Sequence, residues 1–203
     1  MSNEDLLNKV KQKDRAAFNE LFTLYKSKVF KTAYFILQDK VLTEDVVQEV
    51  FLQIYFKIDS LRQVETFDIW IYKITVNFCR RLLNKRSKLS IVPLEEYVDN
   101  LEANGQEDLS LPEDILLNKE LCSDIMNEIY KLPEYQRIPI ILYYYNNLSI
   151  KDISEVMNCS EGTVKSRLFH GKKLLKHKLE ESAGCEKVSS FILNKGVNIY
   201  DNR

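Results

Sequence analysis

The stretch Leu148-Ser149-Ile150-Lys151-Asp152-Ile153-Ser154-Glu155-Val156-Met157-Asn158-Cys159-Ser160-Glu161-Gly162-Thr163-Val164-Lys165 holds two helix starts separated by a tight turn. Ser149 reads as an N-cap, with Asp152 three residues on in a capping-box role, and Ser160 as a second cap before the next helix. A helix of about nine residues, a turn of about three or four and a longer basic helix make the helix-turn-helix geometry. In the second helix Val164, Leu168, Gly171, Leu175 and Leu179 line up as a buried stripe. Its outward face carries Gly162, Ser166, Phe169, His170, Lys173 and His177, with Lys165, Lys172 and Lys176 beside it. A large apolar group facing water is a liability, whereas in a major groove Phe169 can meet a thymine methyl. A basic helix can also be a solvated face and nothing more, and spacing alone leaves that reading open.

Upstream, glycine and proline usage decides the fold class. The chain of 203 residues has 5 Gly and 4 Pro, and the first of each are Gly105 and Pro93. The long stretch before Pro93 therefore has no supply of primed hairpin turns or glycine-rich phosphate loops. The expected fold is all-α: two small helical domains joined by an acidic linker, the C-terminal one with the helix-turn-helix.

A net charge of −1 hides a partition along the chain. Arg80 to Lys88 contains five basic residues and no acid, Ile91 to Asp124 ten acids and one base, and Cys159 to Lys178 six bases and one acid. The expected organisation is a helical domain at 1–90, an acidic linker at 91–112 holding Pro93, Gly105 and Pro112, a helix-turn-helix domain at 113–181, and a tail at 182–203 with no assigned role.

Two helices of the first domain carry unusual residues on their outer faces. Val47, Val50, Phe51, Ile54 and Ile58 share a core-facing stripe, while Asp45, Glu49, Leu52 and Phe56 lie opposite with Gln48 at the flank. Exposed Leu and Phe beside acids suggest a docking surface. Alternatively, Leu52 and Phe56 are covered by the preceding helix, whose stripe is Phe18, Leu21, Phe22, Tyr25 and Val29. The next helix, from about Thr66 to Arg86, has Phe67, Trp70, Ile71, Ile74, Phe78 and Leu82 on its apolar face. Tyr72, Lys73, Val76, Arg80 and Leu83 are expected to face away, with Asn77 and Asn84 alongside. Such a face can combine phosphate neutralisation, base stacking and edge hydrogen bonding, or it can be a solvated basic surface.

Several function classes are disfavoured. Cys79, Cys122, Cys159 and Cys185 are far apart and only two His accompany them, so neither a zinc site nor a disulfide framework is expected, and no cofactor is. Both histidines lie among lysines with no carboxylate at helical spacing, and no nucleophile, base and metal set converges, so an enzyme is not expected. Apolar runs are too short for membrane insertion, and a basic, apolar leader is missing, so the expected location is the cytoplasm.

Five segments in order resemble the extracytoplasmic-function group of the sigma-70 family of bacterial RNA polymerase sigma factors. They are Asp14 to Phe22, Glu44 to Leu52, Phe67 to Asn77, Leu132 to Arg137, and Leu148 to Leu168. The resemblance implies a non-enzymatic transcription initiation factor. Asp45, Gln48, Glu49 and Leu52 would dock on the coiled coil of the largest subunit of core RNA polymerase. The Leu61 to Thr66 loop and the helix after it would open the promoter DNA at its minus-10 element and take a flipped base into a pocket near the loop. Arg62, Trp70, Lys73, Asn77, Arg80 and Asn84 would contact that strand. Lys165, Ser166, Phe169 and His170 would read the minus-35 element, while Thr163 and Lys173 would hold its phosphates. An anti-sigma protein is a further implied partner. Departures from the family pattern include Arg81 where an acid is usual, Pro139 inside a helix, and His170-Gly171 in place of Arg and Ala. The rival reading is a helix-turn-helix regulator that acts without core polymerase, on a symmetric operator as a two-fold dimer.

Overall fold

The computed structural model describes residues 3–61, 63–89 and 126–181. Arg62, the linker at 91–112, residues 113–125 and the tail at 182–203 lie outside the described residues. Among the described residues the α-helices with both ends placed run in the order α1 (Asn3–Lys11), α2 (Arg15–Leu37), α3 (Lys40–Lys57), α4 (Phe67–Leu89), α5 (Glu134–Ile140), α6 (Ile150–Met157) and α7 (Glu161–Glu181). Among the described residues there is no strand, in line with the all-α expectation.

The chain turns without glycine by placing polar residues in the left-handed region. Lys13, Gln38, Asn147 and Asn158 have φ of 62°, 50°, 55° and 51°, a conformation that costs an L-residue roughly 1–2 kcal/mol and that Asn tolerates best. A capping side chain then restarts the helix after each of these four turns. The Asp14 carboxylate accepts from the Ala17 N–H at 3.0 Å and that of Asp39 from the Leu42 N–H at 3.1 Å.

Aromatic edges knit α2 to its neighbours: Phe22 meets Phe51 at 4.6 Å and Tyr25 meets Phe67 at 5.1 Å. α4 packs against α2 and α3 on one side and against α6 on another. Its expected outward set therefore divides. Tyr72 and Val76 are buried and Leu83 is half-buried, contrary to the sequence expectation, because the C-terminal helices cover that side. Pro139 lies near the end of α5, and a π-helical turn follows at Ile141–Tyr145, closed by the Asn146 N–H on the Ile141 carbonyl at 3.1 Å. Proline removes a backbone donor, and a π turn is one way for a helix to absorb the mismatch.

Candidate nucleic-acid interface and docking face

The helix-turn-helix forms as its local chemistry demands. Ser149 and Asp152 complete a reciprocal capping box, with the Asp152 N–H on Ser149 Oγ at 3.1 Å and the Ser149 N–H on Asp152 Oδ2 at 3.2 Å. The Thr163 N–H donates to Ser160 Oγ at 3.1 Å, and the two hydroxyls lie 2.9 Å apart. α7 presents one wet face. Ser166, Phe169, His170, Lys173 and His177 are exposed on it, whereas Val164, Leu168, Gly171 and Leu175 are buried against α5 and α6. The side chain of Leu179 lies outside the described ones. Phe169 keeps 41% of its surface in solvent, with its ring edge-on to His170 at 5.3 Å. Thr163 and Lys165 sit half-buried at the margin of the face. A shallow depression of about 500 Å³ beside it is bordered by Tyr135 and Gln136 of α5 and by Thr163, Ser166, Arg167 and His170 of α7. Gly171 lets α7 approach α5: a Cβ there would stand 2.7 Å from Ile140 Cδ1 and 3.3 Å from Gln136 Cβ.

On α4 the polar residues gather into one stripe. Asn77 and Asn84 are exposed, Trp70 and Lys73 half-buried, and Arg80 lies at the edge. The Trp70 ring leans on Phe67, 5.9 Å between centroids, and the exposed Arg81 guanidinium lies over the Phe78 ring at 4.4 Å. Arg80 does not extend into solvent: its Nε donates to Glu134 Oε1 of α5 at 2.7 Å. Beside the 61–66 loop is a cavity of about 280 Å³ lined by Val64, Phe67 and Tyr25, with Glu4, Glu65 and Asp68 around them. The carboxylate of Asp68 accepts from the Tyr25 phenol, and burial first, then this bond, holds the phenol well above its ordinary pKa.

The exposed face of α3 is continuous. Asp45, Gln48, Glu49 and Leu52 are all exposed, with Leu52 at 51% and Phe56 at 71%. Of the two readings left open by the sequence, coverage by α2 is thus excluded: Phe18 and Phe22 reach Phe51 and Tyr55 instead. Val41, 70% exposed, extends the face toward its N-terminus, a residue the sequence reading passed over although it lies one turn before Asp45. Lys13 braces the other end through the Tyr55 carbonyl at 2.6 Å and Asp59 at 3.4 Å.

Sequence reasoning also missed Arg137. Its side chain is buried, donates from Nη1 to the Tyr130 carbonyl at 2.6 Å and lies 4.7 Å from the Tyr130 ring. Burial lowers its pKa. The signal available was its place at the end of Leu132-Pro133-Glu134-Tyr135-Gln136-Arg137, which says nothing about burial. Among the described residues no cluster of three metal-ligating side chains occurs, and no helix is long and apolar enough to cross a membrane.

The comparisons agree with the fold. The model of sigma-70 region 2 matches residues 21–89, which hold α3, α4 and most of α2, and that of sigma-70 region 4 matches 123–175, which hold the helix-turn-helix. The chain is 31% identical over 185 residues to the ECF RNA polymerase sigma factor SigW of Bacillus subtilis, covering 86% of this chain and 95% of the relative. It is 32% identical over 185 residues to the ECF RNA polymerase sigma-E factor of Escherichia coli K12, covering 89% and 95%. Two solved structures share the fold: CnrH in complex with the cytosolic domain of CnrY, with a TM-score of 0.63, 16% identity and 89% and 99% of the chains covered, and the sigma factor RpoE in complex with the anti-sigma factor NepR from Bartonella quintana, with 0.61, 22%, and 80% and 96%. With the paired regions in order, the helix-turn-helix built as its caps require, and relatives matched along nearly their whole length, the chain belongs to the extracytoplasmic-function RNA polymerase sigma factors of the sigma-70 family.

Proposed function

We propose that this sigma factor attaches to core RNA polymerase through the exposed face of α3 and grips promoter DNA through α4 and α7. The observation that carries the reading is the stripe of Asp45, Gln48, Glu49, Leu52 and Phe56, in which two large apolar groups stay in water beside acids on a helix whose other face is fully packed. A two-fold dimer formed through this face would set its acids close to their own copies, whereas a helical coiled coil with basic flanks complements them.

Lys73, Asn77, Arg80 and Asn84, with Trp70 and Arg62, would hold the opened minus-10 strand. Bases extruded from the stack cost a few kcal/mol. The cavity edged by Glu4, Glu65 and Asp68 suits a base whose exocyclic amine can donate to carboxylates. At the minus-35 element Ser166, Phe169, His170 and Lys165 would meet base edges while Lys173 and the capped turn at Thr163 meet phosphates. Because the Thr163 hydroxyl is already engaged with Ser160, its contribution there is mainly to fix the turn. The protein itself supplies recognition and the polymerase the chemistry, in the cytoplasm. An anti-sigma protein is the expected negative regulator; one fold neighbour, the sigma factor RpoE, is in complex with the anti-sigma factor NepR.

Size-exclusion chromatography of the chain mixed with core polymerase, followed by transcription in vitro and mapping of start sites, tests the reading. A one-to-one complex that initiates at asymmetric promoters is the expected result. Absence of any complex, with a two-fold dimer on a symmetric operator, would establish the independent regulator instead.

A further inference from the structure

The α4 stripe runs along the junction with the C-terminal helices, and Arg80 is engaged on the far side of it. The Arg80–Glu134 pair, 2.7 Å long, is only 35% and 26% exposed. Three more contacts close the same junction. Asn146 Nδ2 donates to Thr32 Oγ1 at 2.8 Å, Gln38 Nε2 donates to the Met126 carbonyl at 3.3 Å, and Tyr145 meets Phe35 edge to face at 4.5 Å. Tyr72, Val76 and Cys79 are buried along this side of α4.

From these contacts we infer that the chain carries its own latch: docking of α5 and α6 on α4 and capture of the minus-10 strand by Arg80 are mutually exclusive. The inference rests on the proposed reading of α4 as the strand-binding helix. While the latch is closed, Arg80 is neutralised, and the Glu134 carboxylate stands beside the stripe where it repels phosphate. Release frees Arg80 and leaves Glu134 to Arg137, one helical turn away on α5, whose buried Nε makes no hydrogen bond among the described residues. One carboxylate between two guanidinium groups is thus a two-position element, and DNA favours the position in which Arg80 is free. Binding to an open form present in a fraction f weakens apparent affinity by that fraction, so weakening the latch strengthens binding without adding a contact.

The test uses the full-length protein and the variants Glu134→Gln and Asn146→Ala, which attack the junction from two sides. Small-angle scattering reads the radius of gyration, fluorescence anisotropy reads binding to a labelled single strand carrying a mapped minus-10 sequence, and transcription with core polymerase reads activity. Both variants should bind the strand roughly three- to tenfold more tightly, while the closed form, held mainly by its apolar contacts, stays predominant and the radius of gyration of the free protein rises little. The gain in Asn146→Ala is decisive, because that change alters no charge. The latch is overturned if neither variant gains in binding, or if only Glu134→Gln gains, which would be simple loss of a repelling charge. If wild type neither binds the strand nor transcribes with core polymerase, the functional reading of α4 has failed first and the inhibitory role goes with it.

Discussion

Phe56→Ala separates docking from folding more cleanly than any other change on α3. The side chain is 71% exposed, and its ring meets that of Tyr55 edge to face at 5.5 Å. Removing it should cost the free protein about 0.5 kcal/mol, the scale of a lost aromatic edge at a surface. In the polymerase complex the same group has roughly 140 Å² of apolar surface still to bury, if a Phe side chain offers about 200 Å², which at about 25 cal/mol per Å² sets a ceiling near 3.5 kcal/mol. Immobilisation and imperfect fit reduce this to about 2 kcal/mol, or roughly thirtyfold in affinity.

The assay is competition for core polymerase against labelled wild type, with thermal unfolding of each variant measured alongside. Phe51→Ala is the contrasting control. Phe51 is 4% exposed and meets both Phe18 and Phe22, so truncation should cost about 3–5 kcal/mol of stability, and any binding it loses should follow unfolding. If Phe56→Ala stays within threefold of wild type while fully folded, the α3 face is not where the energy of docking resides.

Other expectations follow from individual residues. Phe169→Ala should relax minus-35 preference by roughly 1–3 kcal/mol, whereas Lys173→Ala should weaken all duplexes alike and lower the salt slope by about one; matching behaviour of the two would show that Phe169 reads no base. Gly171→Ala gains about 1 kcal/mol of helix propensity but forces a Cβ into buried Ile140, an overpacking cost of about 1–3 kcal/mol. The net loss should shrink when Ile140→Val removes Cδ1, and strictly additive losses in chemical denaturation would refute the clash. Reversing the charge of Asp45 and Glu49 together should abolish polymerase binding and leave the circular dichroism spectrum unchanged; retained binding would move the docking face elsewhere. At the junction, burial raises the Tyr145 phenol to about 12 and also raises Tyr72, whose shift the Asn146 amide partly offsets. An unfolded tyrosine releases its proton near pH 10, so above that the folded state binds more protons than the unfolded one and stability falls as pH climbs toward 12. Scattering paired with tyrosinate absorbance should show the junction intact below about pH 10 and weakening progressively as pH climbs toward 12; onset at neutral pH would exclude these phenols as its cause.

Features set by neighbours in sequence were legible in advance. The two caps of the helix-turn-helix depend on Ser149, Asp152 and Ser160 and on nothing distant. The faces of α7 were equally readable, since both helices it packs against lie on one side of it. α4 was misread because it is covered on two sides. At about 100° per residue, Phe67, Ile71, Ile74, Thr75 and Phe78 join Tyr72, Val76 and Cys79 in a buried arc of about 200°. A reading that allows one apolar stripe must send Tyr72 and Val76 outward. What remains wet is an arc of about 100° holding Trp70, Lys73, Asn77, Arg81 and Asn84, with Arg80 at its border.

The border position of Arg80 could not be foreseen, because its partner is 54 residues away in sequence and charge counts do not say which acid meets which base. Yet it bears on how the molecule opens. Parting the junction breaks one half-buried ion pair and two hydrogen bonds, Asn146–Thr32 and Gln38–Met126, contributions of about 1 kcal/mol each. It also bares Val76 and Cys79, each now at 0% exposure, together with Tyr72, and each wetted CH₂ group costs roughly 0.8 kcal/mol. The apolar term exceeds the polar one. Single polar substitutions should therefore loosen the closed form by only several-fold, and full separation requires binding energy from outside the chain. The proposed docking of α3 on core polymerase would be a source of that energy that does not itself use the junction, so attachment to polymerase would precede and drive the release of Arg80.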